Sequence, residues 1–192
     1  MKQKLVLAFV LIFTIKSFAQ DSKFSIEASY PLPVDNNFIG ENYTGLIDVG
    51  INYRFLKLAS VNIGGSIHTG ILKNTKSKIP DINIVAHIIQ PVLFAELDLE
   101  KMDKFHPTLG LGYAFMIFDA SGTSMGEEIH HIDETQTTGG FHINLGALYE
   151  ISDKWYVKAQ YNFIKARPEG EALDIKYNKN INILKIGLGY RL

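Results

Sequence analysis

The sequence predicts an all-β protein, an eight-stranded antiparallel up-and-down transmembrane β-barrel. Three observations predict this fold. Eight stretches from Phe24 onward alternate apolar with small or polar side chains, which is the period of a strand with two different faces. Short and long connections alternate between the stretches, and the last stretch runs to Leu192. An even number of strands with short turns at one rim is typical of barrels that span an outer membrane.

The first four predicted strands carry apolar side chains at most of their alternate positions. The first runs from Phe24 to Leu32 and the fourth from about Ile84 to Leu99, where Pro91 suggests a bulge or an irregular pairing. The side chains expected to face outward are, strand by strand, Phe24, Ile26, Ala28 and Tyr30; Ile47, Val49, Ile51, Tyr53 and Phe55; Val61, Ile63, Ile67 and Ile71; and Leu93, Ala95, Leu97 and Leu99.

The last four predicted strands repeat this pattern. Their outward side chains are Leu109, Leu111, Tyr113, Phe115 and Ile117; Phe141, Ile143, Leu145, Ala147 and Tyr149; Trp155, Val157, Ala159, Tyr161 and Phe163; and Leu184, Ile186, Leu188, Tyr190 and Leu192. A soluble barrel of lipocalin type, with its apolar face inward, fits the same alternation. The many glycines on the opposite face suit a narrow lumen better than a solvated wall, and this favours the membrane barrel.

The predicted connections differ in length and charge. Short joins lie near residues 58, 102 and 153, whereas 33–43, 73–83, 119–138 and 168–179 are long. We expect the short turns at the periplasmic rim and the long loops outside the cell. The 119–138 loop contains no Lys or Arg, and its acidic and histidine residues are Asp119, Glu127, Glu128, His130, His131, Asp133 and Glu134. His130 and His131 are weak metal candidates, because adjacent histidines point apart on an extended chain, so we predict a solvated acidic loop and no cofactor.

Residues 1–19 have the features of a secretory signal peptide, which predicts a mature barrel domain over residues 20–192. Lys2 and Lys4 precede an apolar run, and small residues occupy the two positions before Gln20 that a signal peptidase reads. The run is about half the roughly 20 residues that a helical membrane anchor needs.

The charge and cysteine content of the mature chain exclude some functions. Without residues 1–19 the formal net charge changes from -1 to -4, since three Lys and no acids are lost, and this gives no case for binding nucleic acid. The chain has no Cys, so neither a disulfide framework nor a lipid-modified Cys is available.

Charged residues of both signs fall on the predicted inner face. They are Glu27, Asp48, Arg54, Glu96, Asp98, Lys158, Lys185 and Arg191. The lumen of an eight-stranded barrel is just wide enough for side chains to fill, and unpaired charges in it would be costly. We therefore expect a paired network that plugs the barrel, with a continuous ion path as the alternative.

The final strand resembles the C-terminal insertion signal of bacterial outer-membrane proteins, through Lys185, Gly187, Tyr190 and Leu192. A terminal Phe is commoner, so Leu192 departs from the pattern. The segments 90–95 and 107–113, a strand with Pro followed by a Gly-rich strand, are similar to the middle of those barrels. The whole mature chain resembles the small outer-membrane β-barrel domain family, with the shape of OmpA-type and OmpX-type barrels. This resemblance implies insertion into Gram-negative outer-membrane lipid by the barrel-assembly machinery.

We interpret the protein as a plugged structural scaffold whose four outer loops act in envelope integrity, adhesion or contact with an extracellular or envelope protein partner. The first alternative is a narrow porin-like channel, or a carrier of small hydrophobic solutes, which needs an open lumen or a lateral gap. The second is an outer-membrane lipid-modifying enzyme using Ser66 with His68, or His87. Neither arrangement matches a nucleophile motif such as Gly-x-Ser-x-Gly, so we predict that the protein is not an enzyme.

Overall fold

The structure, a computed structural model, describes residues 23–76, 81–125, 129–167 and 174–192. Its eight strands are β1 (Phe24–Val34), β2 (Tyr43–Leu58), β3 (Val61–Asn74), β4 (Ile82–Leu97), β5 (Phe105–Met125), β6 (Ile129–Glu150), β7 (Trp155–Arg167) and β8 (Asn180–Arg191). Each strand pairs antiparallel with the next, and β8 pairs with β1 to close the barrel. The predicted fold is confirmed. The predicted signal peptide, residues 1–19, lies outside the described residues.

The outward and inward faces follow the alternation in the sequence. Ile67, Leu93, Leu145 and Ile186 on the outer face are 60–65% exposed. Each of them has a buried neighbour along its strand, namely His68, Val92, Asn144 and Lys185. A wall of this kind, apolar outside, is stable when lipid covers it.

Aromatic side chains cluster at the end of the barrel that carries the short turns. Phe24 stacks on Tyr53 with ring centroids 4.5 Å apart, and Trp155 contacts Tyr190 edge to face at 4.9 Å. Such rings suit the headgroup level of a bilayer. Because short turns mark the periplasmic rim of these barrels, we call this the periplasmic end and the other the extracellular end.

Strands β5 and β6 extend far past the barrel rim, which corrects the predicted 119–138 loop. The two strands stay paired in one register from Phe105↔Tyr149 to Met125↔Ile129. Most of the predicted loop is therefore a β-hairpin. Its β-propensity comes from threonine, a residue type enriched in strands, at positions 135, 137 and 138.

Of the two possibilities expected at Pro91, a bulge or an irregular pairing, the structure shows the irregular pairing and no bulge. The β4–β5 ladder is interrupted at residues 90 and 91 but resumes at Val92↔Gly112 in the register it had at Ile89↔Phe115. A proline removes one N–H donor but adds no residue, so the register need not shift. The observed bulges lie in β2 instead, between Gly45 and Ile47 and between Arg54 and Leu56. The fourth strand also ends at Leu97 rather than at Leu99.

Two short helices that the sequence did not predict lie in the outer connections. Helix α1 (Phe38–Asn42) joins β1 to β2, and α2 (Lys176–Lys179) precedes β8. Asn37 caps α1, because its side-chain oxygen accepts a hydrogen bond from Gly40 N at 2.8 Å. None of the described helices is long and apolar enough to cross a bilayer.

The inside of the barrel has two zones. The periplasmic and middle part is polar, as predicted. The extracellular part is apolar, which the sequence analysis did not predict, and Ile39 of α1 covers it from above with none of its surface exposed. We call this part the interior apolar cluster; its buried members are Ile39, Tyr43, Leu72, Ala86, Ile88, Ala114, Met116, Ile164, Ala166, Ile181 and Ile183, with Ile84 and Phe118 packed against them.

Candidate functional site

The centre of the polar zone is a buried hydrogen-bonded group around Asp48. Lys185 Nζ lies 2.5 Å from Asp48 Oδ2 and donates a second hydrogen bond of 2.7 Å to Gln90. His68 Nδ1 lies 3.1 Å from Asp48 Oδ1, and its Nε2 faces Asn52 at 3.4 Å. Asp48 and Lys185 belong to β2 and β8, the two neighbours of β1, so the closed wall of the barrel brings them together.

Two more ion pairs fill the polar zone toward the periplasmic end. Lys158 Nζ lies 3.0 Å from a Glu27 carboxylate oxygen, and Glu27 also accepts a hydrogen bond of 2.8 Å from the Tyr156 hydroxyl. Arg54 contacts both oxygens of Glu96, at 3.2 and 2.8 Å. A bidentate pair of this kind fixes both side chains.

The remaining two charged residues of the predicted network lie at the periplasmic mouth. Arg191 Nη1 lies 2.5 Å from Glu150. Asp98, just past the end of β4, faces Lys57 at 3.2 Å and accepts a 3.0 Å hydrogen bond from Asn62. Burial raises the pKa of Asp98, but Lys57 and Asn62 outweigh this effect and hold the pKa below its usual value.

The predicted network contains charged side chains of the interior but not their uncharged partners. The structure pairs six of the eight predicted residues with one another, as Glu27–Lys158, Asp48–Lys185 and Arg54–Glu96. Gln90, Asn52 and Tyr156 are partners that were not assigned to the network. The same alternation that places Lys158 inward also places Tyr156 inward. Counting every inward polar side chain as a possible member of the network, and not the charged ones alone, would have included Tyr156.

The polar zone has little empty space. Two voids beside these side chains measure about 20 and 10 Å³. A water molecule needs roughly 10–15 Å³ of such volume, so each void holds about one water at most. Below them, at the periplasmic mouth, lies a cavity of about 660 Å³ that Arg54, Glu96, Asp98, Glu150 and Arg191 help to line.

One group at this mouth has the composition of a metal site. Within the described ranges, Glu96, Asp98 and His106 place one ligand atom each within 4.8 Å of the others. Arg54 and Lys57, however, already neutralise the two carboxylates, and His106 Nδ1 lies 3.0 Å from Asp98. An ion there would compete with two cations, so we assign no metal to this group.

The predicted weak metal candidates lie on the extracellular hairpin. His131 is exposed, with Nδ1 3.4 Å from the Thr123 hydroxyl. The side chain of His130 is outside the described residues, as are Glu127 and Glu128. The structure therefore describes no ligand set around His131.

The histidines weighed for catalysis face carboxylates and an amide. His68 is oriented by Asp48 and Asn52, with Glu27 at 3.6 Å, and no hydrogen bond to Ser66 is present in the described part of the chain. His87 lies 3.7 Å from Asp119. A serine nucleophile needs a histidine within hydrogen-bond reach, so neither histidine forms a hydrolase-type pair here.

The residues of the predicted insertion signal have separate structural roles in the folded barrel. Lys185 points inward to Asp48, whereas Tyr190 packs outward on Trp155. Gly187 pairs with Ser29 of β1, and Leu192 N donates a 3.1 Å hydrogen bond to Phe24 O. Their part in insertion stays a prediction.

The extracellular hairpin has one open edge among the described residues. The topmost β6–β7 pair is Gly139↔Arg167, so residues 129–138 of β6 pair with β5 on one side and with no described strand on the other. Glu150 N donates to Lys104 O, so even-numbered β6 residues direct their backbone groups toward β5. Residues 131, 133, 135 and 137 therefore direct theirs to the open edge.

Comparisons with known proteins agree with this architecture. The family model described as outer membrane protein beta-barrel domain matches residues 5–191. The structure of Ail, the attachment invasion locus protein of Yersinia pestis, is similar with a TM-score of 0.55 and 14% identity, covering 88% of this chain and 96% of Ail. Neisserial surface protein A is similar with a TM-score of 0.54 and 15% identity, covering 89% and 98%. Ail has also been solved with the heparin analogue sucrose octasulfate. No curated protein sequence matches this chain.

Proposed function

The chain belongs to the outer membrane protein beta-barrel domain family, and from that premise we propose that it is a plugged outer-membrane scaffold that presents its β5–β6 hairpin to a protein partner. The hairpin carries this proposal. It combines a strand edge that no described strand pairs with and an acidic surface, in a position beyond the apolar belt of the barrel.

The packed interior favours the interpretation as a scaffold rather than as a pore. Three buried ion pairs and voids of about one water each occupy the polar zone. The interior apolar cluster closes the extracellular end above them. Ions crossing this barrel would have to break the pairs and pass an apolar layer, so we expect no steady conductance.

The open edge suits a partner that adds an extended segment to the hairpin. A strand edge offers regularly spaced N–H and C=O groups, and an extended peptide can pair with them. Asp133 and Glu134 are exposed, and residues 119–138 include no Lys or Arg. We therefore expect a basic partner segment. A sulfated polyanion, of the kind seen with Ail, would be repelled by this surface.

A peptide-binding experiment tests the proposal. The protein is placed in nanodiscs of zwitterionic lipid, and a fluorescent peptide of alternating Lys and Val is titrated by anisotropy. The wild type should bind this peptide, whereas a Glu–Val peptide of the same length should not. Thr137→Pro removes one N–H from the open edge and should weaken binding at least tenfold, while Thr137→Val should not.

Two results would overturn the proposal. One is that the basic peptide binds the protein no better than empty nanodiscs. The other is that Thr137→Pro and Thr137→Val bind equally well, since this would show that charge alone holds the peptide. Heat-modifiable gel mobility checks that each variant is folded.

A further inference from the structure

The wall of the barrel contains a seam between β1 and β2 in its extracellular half. The ladder between these strands runs from Phe24↔Tyr53 to Ser29↔Asp48, and no pair among the described residues joins 30–34 to 43–47. The other side of β1 stays paired with β8 as far as Val34↔Asn182. The loss of pairing is therefore specific to the side that faces β2.

Two prolines explain why the ladder ends there. Arg54 N donates to Lys23 O, whereas Leu192 N donates to Phe24 O, so odd-numbered residues of β1 direct their backbone groups toward β2. After Ser29, the next two donors toward β2 would be residues 31 and 33. Both are proline, which has no N–H.

Close packing holds the two strands together where these two N–H donors are missing. A Cβ on Gly45 would overlap with Pro31 O, so the two backbones approach each other as closely as only glycine permits. Outside the seam, Tyr30, Leu32 and Leu46 are 42–53% exposed and apolar, which places it at the level of lipid. Inside it lies the interior apolar cluster, beginning with Tyr43.

A seam of this kind is costly in a membrane, because lipid offers no hydrogen bonds to unpaired backbone groups. An apolar core that served stability alone would not require it, since a full ladder would hold the same side chains. The seam, with apolar surface on both of its sides, requires a further explanation.

Helix α1 forms a cover over the same place. It is the connection between β1 and β2, and it inserts Ile39 into the interior apolar cluster. Asp35, just before it, has a φ of 69°, in the left-handed region that residues other than glycine adopt infrequently. Toward β8, α1 is tied by Tyr177, whose hydroxyl donates to Glu41 at 2.9 Å and lies 3.4 Å from Asn42.

We propose that the interior apolar cluster is the closed form of a binding site for one single-chain lipid, such as a long-chain fatty acid. The acyl chain passes from the outer leaflet through the β1–β2 seam when α1 moves away, and it replaces Ile39 among the apolar side chains. An eight-stranded barrel has room for one small ligand. The Asp48–Lys185 pair is the floor of the site, so the chain binds without crossing the barrel.

This site is separate from the hairpin edge, and either proposal can fail without the other. The test uses a fatty acid with a photoreactive diazirine near its methyl end, added to the protein in lipid nanodiscs. After illumination, mass spectrometry locates the labelled residues. Outward residues such as Ile67 and Leu93 should be labelled in any case, because they face lipid. The proposal predicts additional labelling of inward residues of the cluster, such as Leu72 and Ile183.

Cross-linked variants test the path. The chain has no Cys, so a Phe38→Cys and Phe118→Cys pair, whose native rings lie 6.5 Å apart, can be bridged with a short bismaleimide to hold α1 in place. Bridging should lower inward labelling at least tenfold and leave outward labelling unchanged. The matched control bridges Phe24→Cys with Tyr53→Cys at the periplasmic end, where native rings lie 4.5 Å apart. This control should show the same inward labelling as the wild type.

A second variant tests the seam without a cross-link. Pro31→Val with Pro33→Val restores both N–H donors toward β2 and should also reduce inward labelling. The proposal would be overturned if the wild type were labelled at outward residues but not at residues of the interior apolar cluster. Equal inward labelling with and without the α1 bridge would overturn the proposed path through the seam.

Discussion

At the scale of single residues, the interior is built from charges that compensate each other in pairs. Asp48 and Lys185 are both buried, at 1% and 5% exposure, and they contact each other at 2.5 Å. Placing either ion alone in this interior would cost several kcal/mol. The pair therefore does more to keep each partner from being isolated than to add net stability.

Lys185→Met should destabilise the barrel by about 3–5 kcal/mol, because it leaves the Asp48 carboxylate without its cation. Adding Asp48→Asn should recover most of this loss, since the isolated charge is gone. Urea unfolding in lipid, followed by the fluorescence of Trp155, the one tryptophan of the chain, measures both effects. A double variant no more stable than Lys185→Met would show that the two residues act independently.

Asp98 at the periplasmic mouth should make stability depend on pH. Its pKa is lowered in the folded state, so the carboxylate stabilises the fold at a pH above the unfolded value of about 3.9. This stabilisation is lost as the pH falls through the lower, folded pKa. Because the site is partly exposed, Asp98→Asn should cost under about 1 kcal/mol at pH 7.

The measurement for Asp98 is the difference in unfolding free energy between the wild type and Asp98→Asn at pH 7, 5 and 3. The difference should be nearly constant down to about pH 5 and should shrink below about pH 4. A difference that grows on acidification would contradict the lowered pKa. Comparing the two proteins removes the contribution of the other carboxylates, which titrate in both.

At the scale of elements, the short helix of the β1–β2 connection has a large packing role. Ile39 of α1 is fully buried, whereas its neighbour Phe38 is 38% exposed. Ile39→Ala should cost about 2–4 kcal/mol through lost burial and the cavity it leaves. Phe38→Ala, the matched control, should cost less, and urea unfolding of both variants makes the comparison. Equal costs would mean that Ile39 does not seal the cluster.

The stability of the barrel should not depend on the extracellular hairpin. Among the described residues of its upper part, 123–125 and 129–134 pair only between β5 and β6, and they lie beyond the topmost β6–β7 pair. Replacing 121–134 with a two-residue turn should leave heat-modifiable mobility and the urea midpoint unchanged, while binding of the basic peptide is lost. A large drop in the midpoint would place the hairpin in the stable core.

The sequence predicts the elements well wherever a strand faces lipid on one side and a polar lumen on the other. It predicts less at the extracellular end. There, inward residues such as Ile164 and Ile183 are apolar like their outward neighbours, so the contrast between faces weakens. Pro31 and Pro33 were visible, but their effect depends on which partner strand each backbone N–H faces, and this requires the register.

The polar pairs illustrate a similar limit. Alternation places Arg54, Glu96 and Lys158 inside, but it does not determine which charged side chains form ion pairs. Arg54 and Glu96 are 42 positions apart on β2 and β4, with β3 between them. Their contact follows from barrel closure and strand stagger, which are properties of the whole sheet.

At the scale of the whole molecule, the inside of the barrel consists of three successive layers. The periplasmic mouth is an open polar cavity, the middle is filled by ion pairs, and the extracellular end is an apolar cluster under α1. The extended hairpin stands above these layers. This arrangement is that of a closed wall carrying an exposed element, and it agrees with membership of the outer-membrane barrel family.

Single-channel recording of the refolded protein in a planar bilayer tests the closed barrel most directly. Folding is checked by heat-modifiable mobility, and Lys185→Met with Asp48→Asn serves as a variant whose central pair is removed. The proposal of a plugged barrel predicts no conductance steps from the folded wild type. Steady ohmic steps from the folded wild type would contradict it and would show that the paired charges line a pore.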